Sequence, residues 1–281
     1  MTVVIRSLHV YPVKSFRGID LERATLTGQG LAHDRSWLVL DREDRFLTQR
    51  RLPAMARVTT ALTRDGLCLE AAGQAPLDIP FAAPEGRRRS TEVWDDPCEV
   101  VDEGDAAASW LAEALGDEYG PRLVRMAPDY RRPQPRPDRY GAGTTVQFAD
   151  TAPLLLTNVA SLAALNEHLA VDGHQTVPMD RFRANVVVEG LAAFAEHRIT
   201  ALQGPGYRWG LRYPRERCVI ITMDQATGVR REPGEPFATL KRLNPMPGKP
   251  GPAFGELAVV EAGTGATVAV GDVLIPGERE A

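Results

Sequence analysis

The stretch RCVIITMDQATG, Arg217 to Gly228, holds one of only three cysteines in the chain, and it follows a run in which Arg208, Arg212, Arg215 and Arg217 crowd together. Fixed positive charge beside a thiol stabilises the thiolate, the form that acts as a nucleophile or binds a soft metal. On residue type alone, the commoner role of such a cysteine is a small hydrophobe in a strand. A second group is Lys14-Ser15 in YPVKSFRGI. Pro12 interrupts ladder pairing, so Lys14, Ser15 and Arg17 are expected to project from a strand end. Ammonium, hydroxyl and backbone amides together suit a phosphate or pyrophosphate, although a solvated strand end is the commoner outcome. A third group is Arg181, Arg183 and Asn185 in DRFRANVVVEG. Their alternation puts all three on one side of an extended segment, as an anion clamp or as a surface bridged to acids.

Other catalytic templates are missing. Gly248-Lys249 has neither the following Ser or Thr nor the upstream glycine of a P-loop, and there is no GxSxG elbow. The five histidines, His9, His33, His168, His174 and His197, form no HExxH pattern. Cys68, Cys98 and Cys218 are odd in number and far apart, which argues against a disulfide framework and fits a reducing cytoplasm. Their spacing also gives no reason to expect an integral iron–sulfur cluster. A net charge of −4 provides no global basic field for nucleic acid or anionic membrane, so any positive site must be local. The amino terminus enters a strand pattern at once, unlike a signal peptide, and no apolar run is long enough to span a membrane.

The elements that must position these residues are mostly β with some α. Strand pairs around polar turns recur in the first hundred residues, at SWLVL-DRED-RFLTQ, RVTTALT-RDG-LCLEA and STEVW-DDP-CEVVD, and suggest a barrel or sandwich. GDAAASWLAEALGD has helical spacing at Trp110, Leu111 and Leu115. Residues 128–143 contain four prolines, four arginines and two tyrosines, which reads as a linker or solvated loop. In the second half APLLLTN reads as a strand and NVASLAALNEHL as a helix capped near Asn158. RFRANVVVEG and RCVIITMD read as further β-segments, EPFATLKRLN as a short helix, and GELAVVEAGTGATVAVGDVL as closing β-structure. The expected division is a β-barrel-like domain over 1–120, a Pro/Arg-rich linker or loop over 121–145 and a second β-domain over 146–281.

The stretches YPVKSFRGI, HDRSWLVLD, FLTQRRLP, FADTAPLLLTNVASLAALN, RFRANVVVEG, RCVIITMDQATG, EPFATLKRLN and FGELAVVEAGTGATVAVGD occur in one order over nearly the whole chain. In that order they resemble MOSC-domain proteins with the MOSC N-terminal β-barrel, the family of the mitochondrial amidoxime-reducing component and YcbX-like proteins. The resemblance implies an N-terminal MOSC β-barrel followed by a β-barrel-like MOSC domain, with a molybdenum cofactor (molybdopterin) held by the chain. Cys218 would be the metal ligand. Lys14, Ser15, Arg35, Arg183 and Asn185 match the family's cofactor contacts, and Thr151, Asn158, Arg181, Arg217 and Thr222 complete the expected set. Three positions depart from the family pattern: Ile221-Thr222 replaces a Thr-Thr pair, Gln225 stands where a proline usually follows the motif's aspartate, and Ala152 where Ser is frequent.

The implied activity is reduction of N-hydroxylated compounds such as amidoximes and hydroxylamines. Electrons would come from a separate donor protein of ferredoxin, cytochrome or flavin reductase type. Asp150 and Asp224 are candidate proton donors from their motif positions, although a cap or turn role is the commoner use of such residues. The alternative is a cofactor carrier or sulfur-relay protein without reductase activity of its own, as in the C-terminal part of molybdenum cofactor sulfurases. The expected protein is cytoplasmic, with neither nucleic acid nor membrane as a partner.

Overall fold

The computed structural model describes residues 2–82 and 84–278. Its second half is a closed barrel of strands β1 (Val3–Val10), β2 (Leu154–Asn158), β3 (Val186–Glu189), β4 (Ile199–Gly204), β5 (Tyr207–Glu216), β6 (Ala253–Ala262) and β7 (Val273–Glu278). Around the barrel they run β3-β2-β6-β5-β4-β7-β1, and β1 pairs with β3 to close the ring. All these pairs are antiparallel except β2 with β3, which are parallel. A parallel pair requires a crossover, and the helix Val159–Val171 supplies part of it. As expected, Asn158 caps that helix, its Oδ1 accepting from the Ala160 amide at 3.1 Å.

The first strand in sequence thus lies among strands of the last half of the chain. Val3, Ile5, Leu8 and Val10 alternate inward and join Leu154, Val186, Leu202, Trp209 and Leu274 in one core. Immediately past β1, the backbone turns out of the barrel and carries Lys14 and Ser15 towards the other half of the molecule.

That other half is a curled half-barrel. Trp37–Leu40, Arg122–Met126, Asp96–Asp102 and Arg88–Val93 form one sheet, and Thr59–Leu62, Gly66–Glu70 and Leu77–Pro80 form another. The helix Asp105–Leu115 places Trp110, Leu111 and Leu115 in the same core as Val13, Phe16 and Trp37.

The structure corrects three local expectations. Residues 121–145 are not a free linker, because Arg122–Met126 is a strand paired on both sides, with Trp37–Leu40 and with Asp96–Asp102. Nor is the Pro/Arg-rich segment solvated throughout, since Arg132 and Tyr140 are buried. The Arg132 guanidinium donates to the carbonyls of Gln147, Ala149 and Val93 at 3.1, 2.8 and 3.2 Å and to Asp96 at 2.5 Å, which compensates most of its burial and leaves only Nε without a partner. Third, RCVIITMD is not a strand: β5 stops at Glu216, and Cys218 heads a 3₁₀ turn over Val219–Thr222.

Candidate functional site

A cavity between the barrel and the half-barrel gathers residues from both. Lys14, Ser15 and Arg35 line it from the segments after β1, Asp150 and Thr151 from the loop before β2, and Arg183 and Asn185 from the loop before β3. Arg215, Arg217 and Cys218 line it from the end of β5 and the turn beyond. Its lining contains six basic side chains against two acidic ones, in a chain of net charge −4. This is the local positive site that the overall charge requires.

The backbone around the cavity is strained. Ser15, Arg35, Trp94 and Arg183 all line it, and all have positive φ, at 70, 47, 53 and 52°. Non-glycine residues in this region cost free energy and persist where the surroundings hold them in place, often at functional sites. Arg183 enters it because a 3₁₀ turn, Met179–Phe182, precedes it, so the Arg181-to-Asn185 stretch is not extended as expected. The two arginines therefore part. Arg183 faces the cavity and donates to Gln225 Oε1 at 2.9 Å. Arg181 turns to the Ile221 carbonyl and Asp224, at 3.5 and 3.4 Å.

Electrostatic compensation at the site is uneven. Lys14 Nζ donates to the Phe148 carbonyl at 2.8 Å and pairs with Asp150. Burial lowers the pKa of Lys14, and Asp150 opposes that shift. Burial also works to raise the Asp150 carboxyl, but Lys14, Arg215 and the Trp94 indole N–H hold it well below the usual carboxylate range. Arg215 donates to Asp150 at 2.9 Å and to Thr151 Oγ1 at 2.7 Å. Arg217 is buried and donates to the Phe182 carbonyl at 2.8 Å, while its Nε and Nη1 have no partner. Burial and the charge of Arg215 lower its pKa. Two orphaned donors on a guanidinium that belongs to the cavity lining leave an incomplete hydrogen-bonding arrangement, of the kind an anionic ligand completes. Cys218 is exposed beside them.

Other expected site residues lie elsewhere. Asn158 is fully buried, spanning the helix cap and the Ala192 carbonyl at 2.8 Å. Thr222 Oγ1 donates to the Val219 carbonyl at 2.8 Å within its own turn. Asp224 accepts from the amides of Ala226 and Thr227 and from the Thr227 hydroxyl, at 3.1, 2.9 and 2.9 Å, so it holds a turn and does not face the cavity. Burial opposes ionisation of Asp224, but these bonds and Arg181 keep its pKa low. Of the two candidate proton donors, only Asp150 lines the cavity, and its carboxylate is committed to Lys14, Arg215 and Trp94. The arginine crowding before Cys218 also resolves into two groups. Arg208 and Arg212 pair with Glu261 at 2.8 and 2.6 Å on the outer side of β5, and only Arg215 and Arg217 reach the cavity.

Sequence reasoning passed over Gln49, Arg50 and Trp94, which also line the site. FLTQRRLP held the signal for Gln49 and Arg50 in its polar, doubly basic core. Trp94 had no local signal except its turn: with Asp95 it forms a two-residue hairpin tip at positive φ, reaching across from the half-barrel.

Comparison with known proteins agrees with this architecture. Residues 2–118 match the MOSC N-terminal beta barrel domain and residues 143–275 match the MOSC domain. The chain is 31% identical over 280 residues to human mitochondrial amidoxime-reducing component 1, covering 95% of this chain and 81% of that protein. The Xenopus laevis protein of the same name is 28% identical over 92% of this chain and 78% of its own length. The chain is 32% identical to the molybdenum cofactor sulfurase of Drosophila erecta over 83% of its own length, but the match spans only 29% of that longer protein. The chain belongs to the MOSC-domain family, in the form that carries a MOSC N-terminal β-barrel.

Proposed function

We propose that the chain binds a molybdenum cofactor between its two barrels and reduces N-hydroxylated compounds with electrons from a separate donor protein. The observation that carries this reading is the exposed Cys218 thiol standing beside the orphaned donors of Arg217 in a strongly basic cavity. The residues present fit such a group. A single thiol suits a soft metal, and Lys14, Arg183 and Arg217 suit the phosphate and the polar edge of a pterin. The similarity to proteins named amidoxime-reducing component points to the same substrate class.

When bound, the cofactor supplies the two-electron chemistry, and the chain supplies ligation, orientation and charge. Cys218 would ligate the metal. Arg217, held to the Phe182 carbonyl, and Arg183, held to Gln225, present fixed guanidinium groups to the anionic part. Ser15 offers a hydroxyl and an amide from a strained backbone position. Asp150 is committed to Lys14, Arg215 and Trp94 and keeps Lys14 in place. Conversion of an N-hydroxyl group to N–H and water consumes two protons as well as two electrons, and Asp150 is the carboxylate of the two candidates that lines the cavity.

Protein made in a host that produces the cofactor should carry near-stoichiometric molybdenum by metal analysis. It should reduce benzamidoxime with an artificial electron donor, and Cys218→Ser should abolish that reduction. If wild type and Cys218→Ala hold equally little molybdenum, the proposal is lost. Molybdenum retained without reduction would instead point to cofactor carriage.

A further inference from the structure

Outside the basic cavity lies a wider chamber that reaches the same thiol. It is lined by Arg50 and Trp94 from the half-barrel and by Cys218, Val219, Phe237 and Lys241 from the barrel side. At about 750 Å³ it has room for a small organic molecule. Of the seven large apolar side chains exposed among the described residues, Trp94 at 40% and Val219 at 44% share this one chamber. Apolar surface left open beside a reactive group suits the body of a ligand.

The charges of the chamber fall into two groups. Its carboxylates are engaged: Asp150 by Lys14, Arg215 and Trp94, and Glu216 by the Gly251 amide at 3.2 Å. Three of its cations are not: Arg217, which is buried, and the more outlying Arg50 and Lys241. Arg50 rests 4.5 Å from the centroid of the Trp94 ring, and among the described residues neither Arg50 nor Lys241 has a carboxylate within 4.0 Å. Elsewhere some exposed arginines, such as Arg88, Arg136 and Arg208, are paired with acids, whereas others, such as Arg57 and Arg64, have no carboxylate within 4.0 Å among the described residues. What sets Arg50 and Lys241 apart is that they share one chamber with the thiol. Positive charge left unpaired at a site entrance attracts and orients an anion.

We infer that this chamber selects N-hydroxylated compounds whose planar apolar body carries an acidic substituent, the body resting on Trp94 and Val219 and the acid meeting Lys241 and Arg50. This inference depends on the reductase reading of the adjoining cavity. The arrangement gives the substrate two handles at opposite ends, so the N-hydroxyl group is turned towards Cys218 when the acid is engaged.

The test compares benzamidoxime with 4-carboxybenzamidoxime on protein purified with its cofactor, by isothermal titration calorimetry and by steady-state reduction. The carboxylated compound should bind about fivefold more tightly at low salt, with the advantage shrinking as ionic strength rises. Lys241→Met with Arg50→Met should erase that advantage and raise KM for the carboxylated compound more than for benzamidoxime. Equal affinity of the wild type for the two compounds, or an advantage that survives in the double variant, overturns the inference. Preferential binding that disappears in the double variant, with no reduction of either compound, would uphold the chamber's selectivity and defeat the reductase reading. Equal binding with equal reduction would defeat the chamber's selectivity and leave the reductase standing.

Discussion

The guanidinium groups of Arg35 and Arg183 both lie against the ring of Tyr11, 4.4 and 4.2 Å from its centroid, and Arg35 Nη2 donates to the Arg183 carbonyl at 3.1 Å. Two like charges are thus held near one another by the negative face of an arene, with Asp34 taking Arg35 at 2.6 Å, on backbone that is itself at positive φ. Gly18 makes room for this, because a Cβ there would come within 2.5 Å of the Tyr11 ring. Burial raises the Tyr11 phenol to about 12 and lowers Arg183 to about 10, so at neutral pH the ring is neutral and Arg183 keeps its charge. Tyr11→Leu should destabilise the protein by about 2–4 kcal/mol, from the lost ring volume and the lost cation–π contacts. It should also lower molybdenum retention. Tyr11→Phe keeps the arene and should stay within about 1 kcal/mol of wild type. Chemical denaturation with metal analysis of the two variants separates the outcomes; equal effects from both would show that the ring face does not organise the arginines.

Arg217 makes the opposite prediction about stability. It is buried with two unpartnered donors, and among the described residues no carboxylate lies within 4.0 Å of it. A buried cation without an acid weakens the empty fold, and replacement by an apolar chain of similar length removes that penalty. Arg217→Met should therefore make the cofactor-free protein more stable by about 1–3 kcal/mol while reducing cofactor retention. Denaturation of cofactor-free samples is the measurement, and a loss of stability in that variant would mean Arg217 is already compensated.

Asp150 should leave a signature in acid. Its carboxyl is held below the ordinary range by Lys14, Arg215 and Trp94, so the stabilisation it provides is complete above about pH 4 and is lost as pH falls through the depressed value. Asp150→Asn should be less stable than wild type at pH 7, by about 1 kcal/mol or more, because the carboxylate is partly screened by solvent while Lys14 is left buried without its partner. The gap should close on acidification below about pH 4. A gap that widens in acid would mean that the carboxyl is not held ionised by its neighbours.

Much of the site was legible in short motifs because local chain geometry sets it. Lys14-Ser15 follows a strand that a proline ends, and Cys218 follows the arginine whose neighbour completes β5. Asp224 could be read as a turn residue from the Gln225–Gly228 run that follows it. What resisted reading depends on partners distant in sequence. Nothing in Val3–Val10 says that it will lie between β3 and β7. Nothing near Arg208 or Arg212 reveals Glu261 across the strand pair, so a run of arginines looked like a single electrostatic feature when it is two. The alternation at Arg181, Arg183 and Asn185 assumed extended backbone, and the 3₁₀ turn that sends the two arginines apart is announced only by Pro178 before it and Asp180 within it.

Arg132 shows most clearly how composition can mislead. A segment rich in proline, arginine and tyrosine has no periodic apolar pattern, and its charges read as solvated. Yet Arg132 is fully buried, because three backbone carbonyls and Asp96 happen to converge on one guanidinium. Two of those carbonyls belong to Gln147 and Ala149, so the side chain also fixes the loop that delivers Asp150 to the cavity. Arg132→Ala would leave Asp96 and the carbonyls short of donors and open a cavity, at about 3–5 kcal/mol. Arg132→Lys retains the charge but loses the planar fork, and it should recover only part of that loss. Both variants should weaken molybdenum retention through the displaced Asp150 loop even where the protein remains folded at low temperature. Denaturation midpoints with metal content measure this, and full stability in Arg132→Ala would return the segment to the status of a surface loop.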